Sequence, residues 1–299
     1  MAKDSEAPLS ICVIVMPNFN LAATVGFIDP FRAANYLEGR THFRWGVTSI
    51  PGGAVVASNG MTVETKALSA VQDETPNIVI VSSSWAPEAH GSPVLDAVLR
   101  RWARAGVTVG ALDTGAFILA RFRLLTGRRS TVHYEHLDAL KELHPDIKVS
   151  DQLFVFDGDR ITCCGGEAVV DFALHIIRRA RGDTLANSAA RYLFHETLRP
   201  QGARQNSAPV EPLGSTVPTT VRKAIQVMQE HLETALPIPQ ICQSIGISQR
   251  QLDRLFLRFV RQSPALYYRD IRLDRARKKL RNSLDGYSQP KGTARCSCH

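Results

Sequence analysis

Cysteine is scarce in this sequence: six residues of 299, at positions 12, 163, 164, 242, 296 and 298. So few, and so scattered, they do not form the disulfide framework of a secreted chain, and they read as free thiols in a reducing cytoplasm. Long apolar runs are missing too. The longest, Ile11–Met16, has six residues, against the roughly 20 needed to cross a bilayer. The stretch Met1 to Pro8 is polar and mixed in charge, unlike a secretory signal. Excess positive charge is absent from the first two-thirds: residues 1–200 hold 20 Lys and Arg against 21 Asp and Glu. Residues 201–299 hold 16 against 7, so the net charge of +8 comes from this end. A near-neutral body with a basic end describes a polyanion-binding module joined to something else.

What is present is ordinary globular composition, 44% hydrophobic and 21% charged, in a length that suits about two domains. Ile11–Met16, Asn77–Val81 and Val107–Leu112 are short, β-branched and apolar throughout, as central strands of a parallel sheet are. Phe43–Ile50 is a further strand. Helical patterns lie between or after them at Leu21–Leu37, Pro93–Ala105, Gly115–Leu125, His133–Leu143 and Gly166–Arg181. Gln152–Phe156 and Arg160–Cys164, split by Asp157-Gly158-Asp159, read as a hairpin. The fold class is therefore α/β, a doubly wound, mostly parallel sheet. A helix follows from Asp183 to about Leu198. Residues 200–218, with four prolines, read as a linker. From Thr219 the pattern is all helical.

The most specific signal lies between Leu236 and Leu280. Ile238, Ile241, Cys242 and Ile245 share one face of a short helix. Gly246 gives the turn and Ser248 an N-cap. The next helix, Gln249 to Val260, turns Leu252, Leu255, Phe256 and Phe259 inward and Arg250, Arg254, Arg258 and Arg261 outward. Two short helices across a Gly turn, the second basic outside, describe a helix-turn-helix. Pro264 opens another helix, with Leu266, Leu273, Ala276 and Leu280 assigned inward and Arg269, Arg272, Arg275 and Lys279 outward. Residues 249–281 carry eleven Lys and Arg against three acids, which points to double-stranded DNA.

These residues resemble AraC-type regulators, over roughly 60 positions: Ile247 to Phe256, Ser263-Pro264-Ala265 and Arg272 to Arg277. The resemblance implies that the recognition helix, entered at Ser248 and Gln249, reads bases through Arg250, Asp253 and Arg254. Arg suits guanine and Asp accepts from cytosine. Arg258 and Arg261 are assigned to phosphate contacts, with plain solvation as the alternative. The family carries a second helix-turn-helix after Leu280. Residues 282–299 are polar and short, so the module at 219–281 is expected to be truncated, with a disordered tail. A single reading head implies weaker binding that leans on dimerisation.

In the first part, Val107–Leu112 runs into Asp113-Thr114-Gly115, a strand turning sharply into a small-residue helix, the shape of a nucleophile elbow. His133 follows. These residues look like the class I glutamine-amidotransferase-like superfamily, PfpI type, and more closely the sensory half of GlxA-type regulators. The resemblance covers about residues 10–200, the expected domain being 10–199. Its enzymes use an elbow Cys, a Glu from the first helix and a His. Here those positions hold Asp113, Ala23 and His133, so the resemblance implies no enzyme. Cys163 and Cys164 end an apolar strand and read as buried thiols.

A carboxylate at a strand's carboxyl end suits a cation. GlxA-type relatives with this elbow include sensors of arginine, carnitine and glycine betaine, which implies a small cationic or zwitterionic nitrogen metabolite. The candidate ligand residues are Asn18, Phe19, Ser83, Trp85, Asp113, Thr114, His133 and Tyr134. Phe19, Trp85, Phe117 and Tyr134 are assigned to an aromatic wall for an ammonium group. No metal or cofactor site is read. The chain is expected to be a cytoplasmic one-component transcriptional regulator, homodimeric through its N-terminal domain and without membrane contact. Two alternatives stay open: a PfpI-type amidase or hydrolase, and a DNA-binding-impaired sensor that pairs with full-length relatives.

Overall fold

The computed structural model describes residues 7–205 and 217–285. The chain divides into two compact units between Ser207 and Ala208. The first contains β1 (Leu9–Val15), α1 (Leu21–Glu38), β2 (Phe43–Ser49), β3 (Gly53–Val56), β4 (Thr62–Ala67), α2 (Leu68–Val71) and β5 (Ile78–Ser83). It continues with α3 (Pro93–Arg104), β6 (Thr108–Asp113), α4 (Gly115–Arg121), β7 (Arg129–Ser130), α5 (Leu137–Leu143) and β8 (Lys148–Val149). The hairpin β9 (Phe154–Asp157) and β10 (Arg160–Cys163) and the helices α6 (Ala168–Arg181) and α7 (Asp183–Tyr192) complete it.

Eight strands form one mixed, mostly parallel sheet in the order β3-β4-β2-β1-β5-β6-β10-β9. Neighbours from β4 to β10 pair in parallel, while β3 and β9 are antiparallel edges. The apolar runs are continuous because both faces of the sheet are covered. Ile11, Val13 and Val15 belong to a core shared with α1, α6 and α7. Ile14, Met16, Val79 and Val81 belong to a second core with α3, α4 and α5. Alternate residues of one strand thus feed two layers, as the two-residue period of a strand demands.

The structure shifts several boundaries and adds a hairpin. β3 and β4 escape a reading of the sequence, because Thr62–Ala67 alternates between half-buried and exposed and so lacks an apolar run. α4 stops at Arg121, short of Leu125, and Arg123 follows with φ +55°. α7 stops at Tyr192, short of Leu198, and Phe194 follows with φ +54°. Residues 200–205 do not behave as linker. Leu153 N–H donates to Ala203 O (2.8 Å), Gln205 N–H donates to Asp151 O (2.9 Å), and Gln152 and Arg204 form an antiparallel bridge. Of the rest of the proposed linker, 206–216 lie outside the described residues, and Val217 is buried in the core of the second unit.

The second unit holds α8 (Thr219–Glu230), α9 (Ile238–Ile245), α10 (Gln249–Phe259) and α11 (Pro264–Asp285). Val221, Ala224, Ile225, Met228, Ile241, Cys242, Leu252, Phe256 and Tyr268 form its core. The inward face assigned to α11 is corrected. Leu266, Leu273, Ala276 and Leu280 are exposed, whereas Pro264 and Tyr268 are buried and Tyr267 and Ile271 half-buried. Tyr268 sets this rotation: its hydroxyl donates to His231 O (2.6 Å) and accepts from Leu236 N–H (3.3 Å), closing the α8–α9 connection. The buried and half-buried positions 264, 267, 268 and 271 still follow helical spacing. α11 also runs four residues past Arg281, into the expected tail; 286–299 lie outside the described residues, as do the side chains of Lys279 and the terminal cysteines.

Candidate functional site

Asp113 ends β6, paired with Ser83 at the end of β5. Its φ is +57°, a left-handed conformation that costs an L-residue energy. Gly115, two residues on, forces the turn. A Cβ there would meet Val81 O at 2.3 Å, so only glycine lets α4 start this close to β5. Thr114 ties the turn down, donating through Oγ1 to Ser84 O (2.5 Å).

Asp113 is 6% exposed, and its carboxylate is held by neutral donors. Asn20 Nδ2 donates to Asp113 Oδ2 (3.2 Å). Asn20 is also the N-cap of α1, its Oδ1 accepting from Ala23 N–H (3.1 Å), so its amide can point only one way. Burial raises the Asp113 pKa from its ordinary value. Asn20, the His133 charge when present, the Thr114 N–H and the Ser84 side chain oppose that shift without cancelling it. An under-compensated carboxylate at a strand end is a cation acceptor in waiting.

The remaining candidate residues differ in burial. Ser83 and Thr114 are buried, and Ser83 Oγ has no hydrogen-bond partner among the described residues. His133, whose charge when present is felt at Asp113, is half-buried and packs at a tilt against Tyr134, 4.5 Å between ring centroids. Tyr134 is 48% exposed and Trp85 63%. Asn18 is exposed with φ +57°, its N–H bonded to Val56 O (2.9 Å). Phe19 is corrected: it is fully buried in the core with Ala23 and Phe27, because the turn after β1 folds its ring beneath α1. Phe117 is half-buried and packs edge-on against His136 (6.1 Å) rather than joining an aromatic wall. Sequence reading missed Asn20 and Ser84. The first carries a usable signal, an Asn directly before an apolar helix start.

A family model described as DJ-1/PfpI family matches residues 10–179. The HTH-type transcriptional regulator CdhR of Pseudomonas aeruginosa is 35% identical over 274 residues, covering 90% of this chain and 80% of that protein. The chain belongs to the DJ-1/PfpI family. The HTH-type transcriptional regulator GlxA of Rhizobium meliloti is 30% identical over 286 residues, covering 94% of this chain and 87% of the relative. A solved AraC family transcriptional regulator from Pseudomonas putida matches with a TM-score of 0.57 and 25% identity, over 62% of this chain and all of the other. The GlxA-type character read from the residues is thus supported.

The DJ-1/PfpI fold also houses enzymes, so the thiols near the elbow matter. Cys163 is fully buried at the end of β10, and Cys164 is buried beside it. Burial pushes the Cys163 thiol well above its ordinary pKa, and Cys164 and Asp113 push the same way. A thiol held protonated is a poor nucleophile. Among the described residues no group of three or more His, Cys, Asp or Glu is placed to hold a metal ion, and no helix is long and apolar enough to cross a membrane.

In the helical unit, Gly246 caps α9 with φ +73°, and Ser248 Oγ accepts from Gln251 N–H (3.2 Å) to start α10. Leu252 and Phe256 are buried, with Leu255 and Phe259 half-buried. Gln249, Arg250, Arg254, Arg258 and Arg261 are exposed and Asp253 is half-buried. Arg258 lies over the Phe259 ring, 5.2 Å from its centroid. One face of α10 therefore anchors the helix, and the other presents guanidinium groups.

Proposed function

We propose that this protein is a one-component, DNA-binding transcriptional regulator whose α/β unit senses a small cationic or zwitterionic nitrogen metabolite. Asp113 carries this reading: an anionic side chain stands at the elbow, buried, strained and opposed only by neutral donors and His133. Asp113 accepts the ligand's cationic group. Thr114 holds the turn, Ser83 offers a hydroxyl, and His133, Tyr134 and Trp85 form the rim, with Asn18 at its edge. The ring faces of Tyr134 and Trp85 supply cation–π attraction. A carboxylate in place of a thiol removes amide hydrolysis, so binding replaces turnover.

The helical unit binds double-stranded promoter DNA. Ser248 and Gln249 meet the backbone at the helix start; Arg250, Asp253 and Arg254 face base edges; Arg258 and Arg261 meet phosphates. The chain acts as a homodimer through its α/β unit, in the cytoplasm. Fluorescence anisotropy on the region upstream of its own gene, across a salt series, tests this. Specific binding should exceed non-specific binding by at least ~10³. Arg254→Ala should cost ~1–3 kcal/mol and relax preference at about one base position. Equal affinity for the upstream fragment and for random DNA of the same length would contradict the proposal.

A further inference from the structure

Residues 193–205 run from the end of α7 to the last described residue of the α/β unit, and two anchors fix their route. The first is Asp171 on α6, fully buried. Its Oδ1 accepts from His195 Nε2 (2.8 Å) and Arg199 N–H (2.8 Å), and its Oδ2 from Arg199 Nε (2.6 Å). The second is Gln205. Its Nε2 donates to Thr131 Oγ1 (2.9 Å), Val132 O (2.9 Å) and Gln152 O (3.1 Å). Thr131 Oγ1 donates in turn to Gln152 O (2.6 Å), and Thr131 N–H to Thr162 Oγ1 on β10 (2.9 Å).

The position of the second anchor is informative. Val132 O belongs to the peptide bond that ends on the nitrogen of His133, so Gln205 grips the backbone that carries His133 and Tyr134. Two hydrogens are shared among three acceptors, and all three are kept in only one placement of the 131–134 loop. Docking the strap alone would need only the backbone pairs to 151 and 153. Two of the three carboxamide contacts instead reach the loop at the rim of the Asp113 site. Beyond Gln205 the chain leads on to the helical unit.

We infer that Gln205 is the positioning residue that reports the state of the Asp113–His133 site to the chain leading toward the DNA-binding unit. The inference rests on the proposed ligand-sensing role of that site. A ligand that moves the His133–Tyr134 backbone breaks or completes the carboxamide contacts, and the strap at 200–205 loosens or tightens with them. The coupling is reciprocal: holding the strap also holds the loop.

Hydrogen exchange on the full chain tests it. His133→Ala alters the loop without any ligand. It should change exchange of the 151–153 and 203–205 amides about tenfold. In Gln205→Ala, and in the shorter but still polar Gln205→Asn, adding His133→Ala should leave those amides unchanged. L-Arginine serves as the probe cation. In the wild type it should slow exchange at 131–136 and at 203–205 together, and in Gln205→Ala at 131–136 alone. If L-arginine leaves 131–136 unchanged while His133→Ala still moves 203–205, the transmission stands and the arginine-like ligand class falls. If His133→Ala leaves 203–205 unchanged, or moves it equally with and without Gln205, the inference is overturned.

Discussion

Two buried aspartates in the α/β unit have opposite surroundings. Asp171 is saturated: the Arg199 guanidinium, the His195 ring and one backbone N–H meet its two oxygens, all within 2.6–2.8 Å. Asp113 receives a 3.2 Å bond from a neutral amide, and burial outweighs its stabilising neighbours. The first geometry is that of a structural lock between α6 and the chain after α7. The second leaves charge unspent at a strained turn, as sites that await a partner do. Burial alone therefore does not tell these two carboxylates apart; the compensation does.

Asp171→Ala should have the largest effect. It leaves Arg199 without its counter-charge and the His195 ring and the Arg199 N–H without their acceptor, costing ~3–5 kcal/mol. For a unit of this size that lowers Tm by roughly 8–15 °C, readable by calorimetry. Asn20→Asp should come next. It keeps an N-cap acceptor but sets a second carboxylate beside Asp113, costing ~1–2 kcal/mol near pH 8. Asp113→Asn should have the smallest effect and the opposite sign, a gain of ~1 kcal/mol, because an amide escapes the penalty of burying a charge and tolerates the left-handed turn.

The pH dependence sharpens the contrast. Asp113 has a raised pKa in the folded chain, so the folded state takes up a proton before the unfolded state does. Its stability deficit is present above the folded pKa and shrinks as pH falls through it toward the ordinary Asp range. The Tm gap between Asp113→Asn and wild type should narrow on acidification. A gap constant from pH 8 to pH 4 would remove the burial argument.

The sequence carries the sheet's central strands because burial on both faces leaves unbroken apolar runs. It carries α9, Gly246, Ser248 and α10 because caps and a one-sided stripe are local signals. It misassigns the buried face of α11 because Leu266, Leu273 and Leu280 look like a stripe, while the decisive contact is the Tyr268 hydroxyl across 37 residues to His231. Asp113 is legible from strand-turn-helix chemistry. Phe19 is not, since only the packed turn shows which way the ring falls. Nor is the Gln205 anchor: a glutamine in a proline-bearing stretch offers no periodicity, and its partners lie 53 to 74 residues away.

A thermal-shift titration of the full chain with L-arginine, L-carnitine and glycine betaine, beside Asp113→Asn, tests the central claim most directly. At 100 times its Kd, a ligand should add about 2.7 kcal/mol, raising Tm by roughly 5–10 °C. Asp113→Asn should start slightly higher and lose that shift. No shift with any of the three amines, or one that survives Asp113→Asn, would contradict the account.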